Sequence, residues 1–157
     1  MKVFLLLVFH VLFSLVVLGQ NRVYDAKELT TQAYTMQDLD SIYKNGLPAN
    51  DTINPVFNKI YFDSIVAKER IQLLNDMANY FIKQGFKWEP SITIWTRIYC
   101  DTNGTVDYLF YHFMKPISSI KEKEFRLLSN NYVRDNKLSI TASRKFSICG
   151  SMTWYDN

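Results

Sequence analysis

Residues 91–113 read SITIWTRIYCDTNGTVDYLFYHF, and their alternation sets the architecture of the chain. Ile92, Ile94, Thr96, Ile98 and Cys100 share one parity, while Trp95, Arg97 and Tyr99 share the other. A period of two is that of a strand, whose successive side chains point to opposite faces. Asp101-Thr-Asn-Gly104 interrupts the pattern, with Asn103-Gly104 at its tip. Asn-Gly tolerates positive φ at both turn positions, so a tight hairpin is expected. The return strand spans 105–113, with Val106, Tyr108, Phe110 and His112 facing one way and Leu109, Tyr111 and Phe113 the other. Large apolar side chains occupy both faces, so helices are expected to cover one side and partial cover the other.

The flanking segments supply that cover. Between Ser64 and Gln84, Ala67, Ile71, Leu74, Ala78 and Phe81 recur at helical spacing, and Leu73, Met77 and Tyr80 widen the stripe. Asp63 or Ser64 is placed to cap the start of this helix and Gly85 its end. After Pro116, Ser119-Ile-Lys-Glu122 has the form of a capping box opening a second helix, which carries Phe125, Leu128 and Tyr132. A third strand is expected over 143–154, where Phe146, Ile148, Gly150, Met152 and Trp154 alternate with smaller residues. The expected fold is therefore α+β, a three-stranded antiparallel sheet packed by two main helices, over residues 59–157. Residues 20–58 form a polar N-terminal segment with one short helix, which starts at the capping box Thr35-Met-Gln-Asp38.

The extreme N-terminus assigns a compartment. Lys2 precedes an apolar run from Val3 to Leu18, with Val17 and Gly19 at the −3 and −1 positions of a cleavage site after Gly19. This is the pattern of an export signal over residues 1–19, so the protein is expected in the periplasm or outside the cell. The other reading is a retained anchor, and contact with a membrane is expected only in that case. Cleavage leaves ~138 residues, one domain by length. The formal net charge of +3 is too small to suggest nucleic acid as a partner.

Chemistry-bearing residues are sparse. The mature part holds two cysteines, Cys100 and Cys149, and one histidine, His112. No C-x-x-C and no histidine cluster is present, so no metal, cofactor or catalytic set is assigned. An exported chain permits a Cys100–Cys149 disulfide. However, Cys149 has the parity opposite to the apolar set of its strand, whereas Cys100 has the parity of its own, and two buried thiols are the alternative. The aromatic content of 15% allows a second functional reading, a small exported ligand-binding protein or enzyme with a pocket built from Trp88, Trp95, Tyr99, Tyr108 and Tyr111.

The order of hairpin, helix and closing strand from Trp88 to Trp154, with Asp101-x-x-Gly104-x-Val106 at the hairpin and Phe146-Ser-Ile-Cys-Gly-Ser-Met152 in the last strand, resembles the C-terminal domain of TonB-type proteins. In that family the last strand pairs with an extended segment of an outer-membrane receptor. The resemblance implies a non-enzymatic domain that contacts a protein partner through a sheet edge at Lys145, Phe146, Ile148 and Met152. The family's N-terminal anchor carries a Ser four residues before a His; here His10 precedes Ser14, so the resemblance does not extend to energy transduction.

Overall fold

A computed structural model describes residues 21–28, 30–31, 33–46 and 55–155; the export signal expected over residues 1–19 lies outside them. The chain forms an α+β fold around one five-stranded sheet. Its elements are β1 (Val23–Asp25), α1 (Met36–Ile42), β2 (Lys44–Asn45), α2 (Ala67–Lys83), β3 (Ile92–Cys100), β4 (Val106–Phe113), α3 (Ser119–Asp135) and β5 (Phe146–Trp154). A helical turn, Lys59–Tyr61, and a π turn, Phe62–Val66, lead into α2. The strand order is β1-β4-β3-β5-β2.

The three central strands are antiparallel, as expected. The expected three-stranded sheet is nevertheless too small. β1 adds in parallel to β4 at 109–111, and β2 adds in parallel to β5 at Phe146 and Ser147. Three and two residues are too few to display a period, so neither strand could be read from alternation. Both come from the polar N-terminal segment, which thus completes the sheet.

The hairpin turn differs from the expected form. Only Gly104 has positive φ, at 81°; Asn103 does not. The Asp101 carboxylate accepts from the backbone N–H groups of Asn103 and Thr105 at 2.8 and 2.9 Å, an Asx turn that fixes the loop without a left-handed asparagine. The register then slips by one residue between Tyr99↔Tyr108 and Cys100↔Val106, leaving Asp107 as the extra residue of a bulge. The bulge turns Val106 to the side of Leu109, Tyr111 and Phe113, not that of Tyr108.

Helix boundaries shift similarly. Asn58, not Asp63 or Ser64, caps the helical segment before α2, accepting from the Tyr61 N–H at 2.8 Å. Gly85 ends α2 as expected: Phe86 N–H donates to Phe81 C=O, Gly85 N–H donates to Ile82 C=O, and the Phe81 and Phe86 rings pack at 5.3 Å. Ser118, one residue before the expected position, caps α3. Glu122, freed from capping, accepts instead from the Tyr111 hydroxyl at 2.8 Å. The Thr35–Asp38 capping box of α1 forms as read from the sequence.

The sheet separates two apolar clusters. On one side α2 and α3 cover Ile92, Ile94, Ile98, Cys100, Leu109 and Tyr111, with Phe125 at the centre. The Phe125 ring packs edge-on against Phe81, Tyr111 and Phe113, with Trp88 and Trp154 also within 6.0 Å. On the other side α1 lays Leu39 and Tyr43 over Tyr24, Tyr99 and Phe110.

Candidate functional site: the outer edge of the last strand

β5 runs nine residues and pairs with β3 along its whole length, from Cys100↔Phe146 to Ile92↔Trp154. Among the described residues its outer side is covered only at Phe146 and Ser147. The covering bonds run from Lys44 N–H to Lys145 C=O (3.0 Å) and from Gly46 N–H to Ser147 C=O (2.8 Å). Backbone groups alternate sides along a strand, so Cys149, Ser151 and Thr153 also point their N–H and C=O groups outward. No described strand pairs with them.

The sequence-predicted partner strand therefore divides. Lys145 and Phe146 lie where β2 already occupies the edge. Lys145 Nζ is 3.3 Å from the Asp107 carboxylate and 5.1 Å from the Tyr43 ring centre, so it belongs to the α1 side of the sheet. Phe146 and Ile148 are buried against the helices, and Gly46 packs over Ile148 and the Ser147 carbonyl. Met152 alone of the four borders the open part. The available edge begins at Cys149, further along the strand than expected.

A groove between α2 and the end of β5 runs beside this edge, lined by Gln72, Asn75, Asn79, Ile82, Met152 and Tyr155 among others. Ile82 and Tyr155 are 43% and 65% exposed. Ile71, expected in the buried stripe of α2, is also exposed, and Arg70 is buried in its place. The cause is Gly150. A Cβ there would lie 3.1 Å from the Arg70 guanidinium carbon, so the missing side chain leaves the room that Arg70 fills.

Arg70 is a charged side chain buried among the described residues. It is 8% exposed, its Nη2 donates to Thr96 Oγ1 at 2.9 Å and to the Gly150 carbonyl, and its Nε has no partner. Among the described residues no carboxylate pairs with it. Burial lowers its pKa from the ordinary guanidinium value. Sequence reasoning placed no function here, because an arginine beside an apolar stripe reads as a solvated residue.

The other sequence-predicted sites do not assemble. Cys100 is buried on the helix side, Cys149 is exposed on the opposite face, and both are free thiols. Their cross-strand partners are Phe146 and Arg97 respectively. The proposed aromatic pocket is split by the sheet: Trp88 and Tyr111 belong to the helix-side core, and Tyr99 and Tyr108 to the α1 side. Trp95 is partly exposed, opposite His112 on the neighbouring strand. The tyrosine hydroxyls serve structure. Tyr99 donates to Asp40 at 2.8 Å, and Asp40 also pairs with Arg97 at 2.7 Å. Tyr43 donates to Asp107 at 2.7 Å, and burial together with that carboxylate raises its pKa.

No group of three or more candidate metal ligands occurs among the described residues, and no described helix is long and apolar enough to cross a membrane. Comparison with protein-family models, curated proteins and solved structures gives no match.

Proposed function

We propose that this chain is an exported, non-enzymatic interaction domain that takes an extended segment of a protein partner onto the outer edge of β5. The observation that carries the reading is the outer edge of β5 from Cys149 to Thr153, with which no described strand pairs, beside the groove along α2. An exposed row of backbone donors and acceptors is a template for another strand. In such strand addition backbone hydrogen bonds supply affinity and adjacent pockets supply specificity. The resemblance of 88–154 to TonB-type C-terminal domains favours the same edge, since their last strand is the one that receives the partner. On this reading β2 acts as a stop, fixing where a guest strand can begin.

Replacing Ser151 by proline tests the reading. The Ser151 N–H points away from β3, where proline is tolerated in an edge strand, so the inner ladder is kept while one outward donor is lost. Partner binding is expected to fall at least tenfold with the circular dichroism spectrum unchanged. Undiminished binding by a folded Ser151→Pro variant would overturn the proposal.

A further inference from the structure

The chemistry of the guest strand can be narrowed from Arg70. A guanidinium removed from water needs a counter-charge or a full set of hydrogen-bond acceptors. Arg70 has neither, because Nε is orphaned and its two acceptors, Thr96 Oγ1 and the Gly150 carbonyl, are both neutral. The same group lies directly over the open strand. The guanidinium carbon is 3.1 Å from where a Gly150 side chain would begin, so no side chain of β5 stands between Arg70 and the outer edge at that position.

A strand added to β5 would lie ~4.8 Å away and place one helix-side Cβ ~5 Å from Gly150. From that point an Asp or Glu side chain reaches the guanidinium, which is seated over Gly150. We infer that the guest segment carries a carboxylate side chain at the helix-facing position beside Gly150, where it pairs with Arg70. An apolar neighbour two residues away along the guest would meet the groove wall at Ile82, which is exposed on α2 beside Met152. The preferred ligand is thus an extended peptide alternating apolar and polar residues with one acidic anchor. Arg70 is a specificity-determining residue in this scheme, and the inference rests on the strand-addition reading.

The test selects from a random peptide display library on the immobilised full mature chain. Enriched peptides are synthesised as the acid and as the matching amide, Glu→Gln or Asp→Asn. Their affinities are measured by calorimetry, and the bound edge is located by amide exchange at Cys149, Ser151 and Thr153. The acidic peptide is expected to protect these amides and to bind at least tenfold more tightly than its amide form. In the Arg70→Met variant that ratio is expected to fall to about one, the signature of a charge contact. Peptides that protect the edge without discriminating acid from amide would overturn the inference and leave strand addition standing. Peptides that bind without protecting the edge, or a second copy of the chain occupying it, would overturn the acidic-anchor assignment. If no peptide protects the edge, both readings fall. The acid–amide comparison uses the native chain, so it decides the matter even if Arg70→Met fails to fold.

Discussion

Two glycines share a φ of +81° yet are expected to respond differently to substitution. At Gly85 an added Cβ meets nothing within 4 Å, so Gly85→Ala incurs only the left-handed backbone penalty of about 1–2 kcal/mol. At Gly104 the same Cβ would lie 2.2 Å from the Leu138 carbonyl oxygen, in a segment where Leu138 N–H already donates to Gly104 C=O. Gly104→Ala must therefore push the 137–142 loop off the hairpin. Urea denaturation is expected to show a clearly larger loss for Gly104→Ala than for Gly85→Ala; equal losses would contradict the packing described. The sequence signalled both glycines, but only contact geometry ranks them, because nothing local to Asn103-Gly104 names Leu138 as its neighbour.

Arg70 is expected to depart from the usual outcome of a core substitution. Methionine fills similar volume without charge, and Thr96 Oγ1, which already donates to the Gly150 carbonyl at 3.4 Å, keeps that partner once the guanidinium is gone. Exchanging buried charge for a well-packed apolar group is often neutral or stabilising. Arg70→Met should leave the thermal midpoint of the free protein unchanged or higher, while abolishing the acid preference of bound peptides. A marked fall in midpoint would instead make Arg70 a structural residue.

At the scale of elements, the hairpin was legible because a period of two, a turn signal and a second period of two agree. The bulge at Asp107 was not, since one extra residue leaves the pattern of hydrophobicity almost intact while reversing the face of Val106. The buried face of α2 was misread through Arg70 and Ile71: counting apolar residues favours Ile71, and the choice is made by Gly150 on another element. α1 offers a pH test. The Asp38 carboxyl is held below its ordinary value by hydrogen bonds from the Thr35 hydroxyl and then the Thr35 backbone N–H. A carboxylate with a lowered folded-state pKa contributes stability that is complete above its unfolded value of about 3.9 and is lost as pH falls through the lowered one. Asp38→Asn should flatten this part of the acid limb of a stability–pH curve. An unchanged curve would show that the box adds nothing. Between α2, α3 and the sheet, Phe125→Ala is expected to cost about 3–5 kcal/mol, because five aromatic rings converge on a fully buried side chain.

At the scale of the whole molecule, the N-terminal segment is the part least legible from sequence and the most consequential. Polar and broken by turn residues, it reads as an appendage. Yet β1, α1 and β2 cover Phe110, Tyr99 and the start of β5. A chain beginning at Asn58 would lose both parallel edge strands and the cover over Tyr99 and Phe110. It is expected to bind hydrophobic dye and to self-associate, as gel filtration would report; a monodisperse truncated domain would contradict the two-cluster architecture. The same segment bounds the candidate site, since among the described residues β2 pairs with two of the nine residues of β5.

Amide exchange along β5 reads out whether this edge is open. In the free protein Cys149, Ser151 and Thr153 should exchange fast while Gly150 and Met152, which face β3, exchange slowly, and an added acidic peptide should slow the fast set selectively. Uniformly slow exchange across Cys149–Thr153 in the free protein, or a fast set that no peptide slows, would contradict the account.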